Sequence, residues 1–229
     1  MPTRQRAMSD QQKAARRQRI LQAALDLFRE SSYDNLNVAS VAQRAGIAKG
    51  TVYLYFRSKE EIFLALYERE LGDWFDDLDQ GLSTTPGKGS LGGFIELVGA
   101  SIERRPLLTR LIAIVHTVLE HNIDDEVALE SRRMLNERIH ATGEKVEAFL
   151  PFLRPGEGAA LLFRLHALII GYQHLAEPAP AAARALQDPD LAMLRVDQPG
   201  FLFPTLGYLL MGMAYEAKYR GQKQATTPG

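Results

Sequence analysis

Six residues in the first third of the chain have the types and spacing needed to hold a polyanion; they are Lys49, Gly50, Thr51, Tyr53, Tyr55 and Lys59. The first three open a predicted short helix, where free backbone N–H groups and the positive end of the helix dipole favour a phosphate or base acceptor. Thr51 also offers a methyl group to thymine, while Gly50 has no side chain to hold a groove wall away. Residues two apart on a helix point about 200° apart, so at least one of the two tyrosines is expected to be exposed.

Two short helices joined by a glycine turn must position these residues. Asn37 is the predicted N-cap of the first helix, and Gly46 is predicted to end it, because glycine takes the left-handed conformation without a steric penalty. The second helix is predicted over residues 49–55. Ser58 and Glu61 form the S-x-x-E capping pattern that opens the next, longer helix. Such an arrangement lays the second short helix in the major groove of DNA.

The charge of the chain is unevenly divided. Residues 1–60 carry 11 Lys and Arg against 5 Asp and Glu, a net charge of +6, whereas residues 61–229 carry 16 against 23, a net charge of −7. A basic segment on an acidic body favours contact with a polyanion, because each neutralised phosphate releases counterions. Further candidates for such contacts are Arg44 and the N-terminal residues Arg4, Arg6, Lys13, Arg16 and Arg17. A solvated basic surface is the alternative interpretation.

Composition excludes several classes of protein. With 46% hydrophobic residues in a length of 229, the chain can fill a core, so a disordered chain is excluded. Cysteine is absent, which removes disulfides, thiolate zinc sites and cysteine nucleophiles. No run of about 18 uncharged apolar residues occurs and no secretory signal is recognisable, so we expect no membrane contact and a cytoplasmic location.

The signatures of enzymes and metal sites fail in this chain. Leu82 stands where a phosphate-binding loop needs its first glycine, and Gly89 where Ser or Thr must hold magnesium. His116 and Glu120 share a helix face, but no H-E-x-x-H motif is present. We therefore expect no catalytic residue, no metal and no cofactor. The alternative left open is a small all-helical enzyme or binding protein that uses a C-terminal pocket.

Apolar residues recur at helical spacing almost everywhere and no strand alternation is found, so the predicted fold is all-α. A first helix is expected at about 10–30, a long helix at 59–80 and a linker at 81–90. Further helices are predicted at 91–104, 106–121, 124–149, 156–175 and 199–220. Residues 176–190, rich in Ala and Pro, are expected to be irregular or briefly helical.

The stretch NVASVAQRAGIAKGTVYLYFRSKEEIF resembles the DNA-binding region of the tetracycline repressor (TetR) family. That region has a glycine turn, then K-G-T-x-Y-x-Y-F, then a lysine near the start of the next helix. The matching positions are Gly46, Lys49, Gly50, Thr51, Tyr53, Tyr55, Phe56 and Lys59. The detailed resemblance covers residues 20–66. Ala48 departs from it, since many relatives have a hydroxyl residue there, so we expect no side-chain N-cap on the second short helix.

The resemblance implies a three-helix helix-turn-helix DNA-binding domain at 1–58 and a larger helical effector-binding and dimerisation domain at 59–229. The expected function is a homodimeric repressor that a small-molecule effector releases from a palindromic double-stranded DNA operator. Dimerisation is expected through the helices near 156–175 and 199–220, which mix large and small apolar residues, although an internal core would look the same. The resemblance also implies an effector pocket, whose candidate lining residues could equally be core; they are Trp74, His116, Leu119, Met134, Phe163, His166 and Tyr172.

Overall fold

The protein is described by a computed structural model that covers residues 2–84 and 90–225, without the side chains of residues 2–9, 116, 198 and 221–225. The described residues are mainly helical and contain no strand, so the predicted all-α class is confirmed. Their α-helices are α1 (Pro2–Glu30), α2 (Val38–Ala45), α3 (Lys49–Val52), α4 (Lys59–Thr84), α5 (Leu91–Glu103), α6 (Pro106–Ile114), α7 (Asp125–Phe149), α8 (Glu157–Ala176), α9 (Pro180–Ala185) and α10 (Gln198–Ala225).

Several helices differ from their predicted extents. α4 continues to Thr84, into the linker predicted at 81–90, and α10 continues to Ala225. Residues 85–89 of that linker lie outside the described residues. α1 begins at Pro2 rather than near residue 10. The single helix predicted over 106–121 instead ends at Ile114 and continues as a π-helical turn, Val115–Leu119, and a short 3₁₀ segment, Glu120–Asn122. The stretch 112–118 is rich in β-branched residues, which lower the preference for a regular α-helix.

The first compact unit comprises the chain up to Glu70 together with Ile114–Ser131. Its core includes Phe63, whose ring meets Phe28 edge-on at 5.4 Å and Tyr33 at 4.9 Å between ring centres. Phe63 is fully buried although it lies in the first part of α4. The compact unit therefore extends beyond the domain boundary expected at residue 58, because the start of α4 supplies part of the core.

The second compact unit comprises Leu71–Ala113 and Arg132–Gly229. Within it, α7 and α8 cross at backbone contact, through Gly143 and Gly158. A Cβ atom on Gly158 would lie 2.2 Å from the carbonyl oxygen of Gly143, which no real side chain tolerates. Between α5 and α10, a Cβ on Gly99 would lie 3.5 Å from the ring of Phe203, an ordinary van der Waals contact. The glycine pair of α7 and α8 thus permits the closer approach.

α8 has one apolar face that points outward. By length and composition this helix could cross a membrane, a test that core helices of soluble proteins also pass, and 33% of its most apolar window is buried. Phe163 and Leu175 on α8 are more than half exposed, as are Tyr208, Met211 and Tyr215 on α10. Large apolar side chains therefore remain uncovered on the two helices predicted to dimerise.

Candidate nucleic-acid interface and internal cavity

The helix-turn-helix segment has the caps that its sequence predicts. The Asn37 side chain accepts a hydrogen bond from the Ser40 backbone N–H at 3.0 Å, and the Ser40 hydroxyl accepts one from the Asn37 N–H, which closes a reciprocal capping box. Gly46 ends α2 in the left-handed conformation, with φ of +64°. Ala48 gives α3 no side-chain cap, as expected. The turn between α2 and α3 is therefore fixed by local sequence.

α3 is shorter than predicted, yet the backbone stays helical in character beyond it. The N–H groups of Tyr55 and Phe56 both donate to the carbonyl of Val52, at 2.9 and 3.0 Å. Val52 and Phe56 are buried and anchor this turn to the core of the first unit. The remaining side chains of the motif are thereby held on the opposite, outer side.

That outer side carries most of the predicted contact residues. Lys49 and Gly50 are exposed, Tyr53 is 46% exposed, and Thr51 and Tyr55 are half-buried. A Cβ atom on Gly50 would meet no atom within 4 Å, so a surface can approach the backbone there. The ammonium group of Lys49 lies 5.9 Å from the centre of the Tyr53 ring. The exposure of Tyr53 confirms that one tyrosine of the pair faces solvent.

Lys59 is placed differently from the other predicted contact residues. Its Nζ donates to the backbone carbonyls of Tyr33 and Leu36, both at 3.2 Å, and lies 3.7 Å from the centre of the Tyr33 ring. The Tyr33 hydroxyl donates to Glu60 at 2.7 Å, and burial together with that hydrogen bond raises the pKa of the hydroxyl. Lys59 therefore joins α4 to the segment after α1, and two of its three N–H donors are already used.

Arg44 is exposed and already paired. Its guanidinium donates two hydrogen bonds to the Glu30 carboxylate, at 3.0 and 2.7 Å, and this hydrogen bonding lowers the pKa of Glu30. Exposed pairs of this kind contribute little to stability. A phosphate could therefore replace Glu30 at small cost, and Arg44 stays a candidate for a DNA contact.

Two exposed residues beside the motif were missed by the sequence reasoning. Leu54 is 81% exposed, and Arg57 is exposed and forms an ion pair with Asp124. The available signal was the position of Leu54 two residues from both Val52 and Phe56, because residues two apart on a helix point in nearly opposite directions. Of the N-terminal arm, Arg17 stacks on Phe56 at 5.1 Å, and the side chains of Arg4 and Arg6 lie outside the described residues.

The second unit contains a closed apolar cavity between α4, α5, α6, α7 and α8. Its volume is about 10 Å³, the space of about one water molecule. The walls are aliphatic and aromatic, with three residues that carry polar atoms, which are Trp74, Thr109 and His166. The Trp74 indole N–H donates a hydrogen bond to the Ser101 hydroxyl at 2.9 Å, and that hydroxyl donates to the Val98 carbonyl.

The structure brings together only part of the predicted pocket set. Trp74 and His166 line the cavity, whereas Leu119 is buried within the first unit. Met134 is half-buried and does not line the cavity, Phe163 is 56% exposed and lines an open groove instead, and the Tyr172 hydroxyl lies 2.8 Å from the Thr205 hydroxyl. The side chain of His116 lies outside the described residues. Among the residues that the structure describes, no group of acidic or histidine side chains could hold a metal ion.

Comparisons with known proteins extend the sequence resemblance over most of the chain. A family model described as "Tetracyclin repressor-like, C-terminal domain" matches residues 68–217, and one described as "Bacterial regulatory proteins, tetR family" matches residues 20–66. A solved structure of a TetR-family transcriptional regulator from Streptomyces coelicolor is similar with a TM-score of 0.52 at 22% identity, over 88% of this chain and 99% of that one. This likeness concerns the fold.

Two curated proteins are similar over shorter stretches. The fatty acid metabolism regulator protein of Bacillus subtilis is 33% identical over 69 residues, which cover 30% of this chain and 36% of that protein. The HTH-type transcriptional repressor KstR of Rhodococcus jostii is 32% identical over 105 residues, which cover 44% of this chain and 48% of that protein. The match thus spans less than half of the length of either relative.

Proposed function

Because the chain belongs to the TetR family of bacterial regulatory proteins, we propose that it is a homodimeric repressor that a small-molecule effector releases from a palindromic operator. The family is one of regulatory proteins, in agreement with the expectation that the chain is not an enzyme. We place its action in the cytoplasm, where the DNA lies. The contact residues proposed are Arg44, Lys49, Gly50, Thr51, Tyr53 and Tyr55, with Lys59 as a supporting residue.

One observation carries the DNA-binding part of this proposal. Lys49, Gly50 and Tyr53 share an exposed surface, while Val52 and Phe56, in the same short segment, are buried. A rigid turn that presents a cation, an open backbone and a phenol hydroxyl suits the contact with phosphates that fixes a recognition helix in register. The net charge of +6 in residues 1–60 attracts the same partner.

Dimerisation is supported by the apolar residues that α8 and α10 leave exposed. They are Phe163, Leu175, Phe201, Tyr208, Met211, Tyr215 and Tyr219. Those at 208, 211, 215 and 219 recur at helical spacing on one face of α10, and an exposed apolar face of this kind marks an interaction site. Arg220 and Glu157 fix the two helices to each other through an ion pair of 2.6 Å, so the surface is presented as one piece. A two-fold pair of such surfaces would place two recognition helices on two half-sites.

The closed cavity supports an effector with an apolar body. A cavity of about 10 Å³ cannot hold an effector unless its walls move. Binding must therefore favour a different packing of the second unit, and the coupling cannot exceed the difference in affinity between the two states. We assign the effector to the apolar class on the chemistry of the walls.

The DNA-binding part is tested by selection of bound genomic fragments with the purified full-length protein, followed by fluorescence anisotropy on the enriched duplex. We expect one enriched palindrome, bound by a dimer, and modestly weaker binding by Tyr53→Phe across related sequences. Failure to enrich any duplex at low ionic strength would remove the proposal.

The dimer is tested with Met211→Asp, which places a charge in the exposed face of α10. We expect a monomer by light scattering and weakened operator binding, because each head then binds alone. Met193→Asp is the matched control, since Met193 is 87% exposed but lies outside α8 and α10. A Met211→Asp protein that remains dimeric would place the dimer contact elsewhere.

A further inference from the structure

An exposed arginine directly after the recognition turn, residues 49–56, is paired with a carboxylate from a distant part of the chain. The guanidinium of Arg57 forms an ion pair with Asp124, and the two side chains are 77% and 61% exposed. Both residues belong to the first compact unit, which joins the helix-turn-helix segment to Ile114–Ser131. The pair therefore lies within the unit that carries the proposed DNA contacts.

The backbone holds both partners of this pair in place. The Arg57 N–H donates to the Glu61 carboxylate at 2.7 Å, which ties Arg57 to the first turn of α4. The Asp124 carbonyl accepts a hydrogen bond from the Ala128 N–H at 3.0 Å, at the start of α7. The two exposed side chains can therefore separate without a change in the surrounding backbone.

Arg57 is close enough to the recognition turn to reach the same duplex. It follows Leu54, which is 81% exposed, by three positions, so the two Cα atoms are at most about 11 Å apart. The major groove is about 12 Å wide and is walled by phosphates, so a duplex that receives the recognition turn has phosphates within the reach of Arg57. A guanidinium binds a phosphate through two parallel hydrogen bonds.

Asp124 belongs to an acidic stretch that opposes such a contact. Residues 114–131 contain five Asp and Glu and no Lys or Arg, a formal net charge of −5. Residues 1–70 carry +4, because residues 61–70 add three Glu and one Arg to the +6 of residues 1–60. The first unit as a whole therefore has a formal net charge of −1, although its helix-turn-helix segment is basic. Carboxylates this close to a DNA-binding surface repel phosphates.

We propose that Arg57 is a further phosphate contact and that Asp124 is a positioning residue that competes with DNA for it. In the free protein the carboxylate holds the guanidinium, and in the complex a phosphate displaces the carboxylate. Exposed ion pairs are weak, so this competition lowers the affinity by a factor of only about 2–5 for each head. The inference rests on the DNA binding proposed above.

The test is a double-mutant cycle in the full-length protein, with affinities measured by anisotropy on the enriched duplex and on an unrelated duplex of the same length. Arg57→Gln should weaken binding to both and flatten the salt slope by about 0.9 for each head, because one phosphate contact is lost. Asp124→Asn should tighten binding at least about 3-fold more than the matched control Asp125→Asn, which removes the same charge from the neighbouring exposed residue.

The double variant of Arg57→Gln and Asp124→Asn separates competition from general repulsion. If Asp124 acts through Arg57, the gain from Asp124→Asn falls to that of Asp125→Asn once Arg57 has been replaced. Melting temperatures should stay within about 2 °C of the wild type in all variants, because the replaced side chains are exposed.

Two results would overturn the proposal while the proposed function stands. Equal gains from Asp124→Asn and Asp125→Asn would show that net charge alone acts, and an unchanged affinity of Arg57→Gln would remove Arg57 from the interface. A wild-type protein that binds neither duplex at low ionic strength would refute the proposed function, and this inference with it.

Discussion

The two lysines of the recognition segment are expected to fail in different ways when their charge is removed. Lys59 donates two hydrogen bonds to backbone carbonyls and stacks on Tyr33, whereas Lys49 is exposed and touches only the face of Tyr53. Lys59→Met leaves the carbonyl of Leu36 without this donor and removes the cation–π contact. Together these changes should cost about 2 kcal/mol. In a chain of this length that corresponds to a fall in melting temperature of about 4–8 °C.

Lys49→Met is the matched control for this experiment. It should change stability by less than about 0.5 kcal/mol, because no hydrogen bond is lost. Its effect should appear on DNA instead, where the loss of one phosphate contact flattens the slope of log affinity against log salt by about 0.9. Lys59→Met should flatten that slope by clearly less, since two of the three ammonium donors face inward.

The measurements are thermal unfolding and operator binding by anisotropy between 50 and 300 mM salt, values chosen to span about a sixfold range. If Lys59→Met leaves the melting temperature unchanged and flattens the salt slope by about one, the assignment of Lys59 to internal support is refuted. If Lys49→Met destabilises the protein as strongly as Lys59→Met, the division between surface and internal lysines is wrong.

Three further predictions follow from single residues. Gly158→Ala should destabilise the protein by about 1–3 kcal/mol in urea unfolding, because its Cβ would overlap Gly143, whereas Gly72→Ala, with open space at its Cβ, should gain up to about 1 kcal/mol from helix propensity. Burial raises the pKa of Glu68, so ionising this carboxyl group costs more free energy in the folded protein than in the unfolded chain. Glu68→Gln should therefore stabilise the protein at pH 7, where the carboxyl group of the unfolded chain is ionised, and not at pH 4, where it is mostly protonated. An equal gain at both pH values would contradict this. Leu54 is exposed and can contact the methyl group of a thymine. Replacing such a thymine by uracil in the operator should weaken binding of the wild-type protein but not of Leu54→Ala. Anisotropy on the substituted duplexes measures both affinities.

The parts of the fold that could be predicted from sequence are those that local chemistry determines. Asn37 as N-cap, Gly46 in the left-handed conformation and the missing cap at Ala48 depend on residues at most three positions away. The exposure of Tyr53 also follows from spacing alone, because Val52 and Phe56 occupy the buried side. The caps and the exposed tyrosine were therefore predictable, whereas the exposed Leu54 and Arg57 were not predicted and Lys59 lies against the Tyr33 ring. The contacts of this surface with DNA stay a proposal.

Ion pairs between residues far apart in the chain could not be predicted from the sequence. Asp76, Asp77 and Asp79, which lie close together on α4, pair with Arg138, Arg105 and Lys145 of other parts of the chain. Nothing local signals such partners, because each is more than 25 positions away. The residues that line the cavity were predicted only in part for the same reason.

The pocket residues show that reason most clearly. Residue type made Phe163 and Tyr172 look like suitable walls, but only the packing of α8 decides which of its faces points inward. His166 points into the cavity, three positions from the exposed Phe163. Type and spacing predict that a helix has a buried face, whereas the neighbours that cover that face are set by the whole unit.

Exposed apolar residues, which break the ordinary rule of burial, coincide with the two proposed contacts. Leu54 exposes an apolar side chain beside the recognition turn, and Tyr208 and its neighbours do so on α10. Such side chains gain free energy when a partner removes them from water. Met193 breaks the same rule at 87% exposure without an assigned partner. If Met193→Asp changes dimerisation or DNA binding, exposed apolar residues do mark contacts in this protein, and the proposed dimer interface must include the segment around Met193.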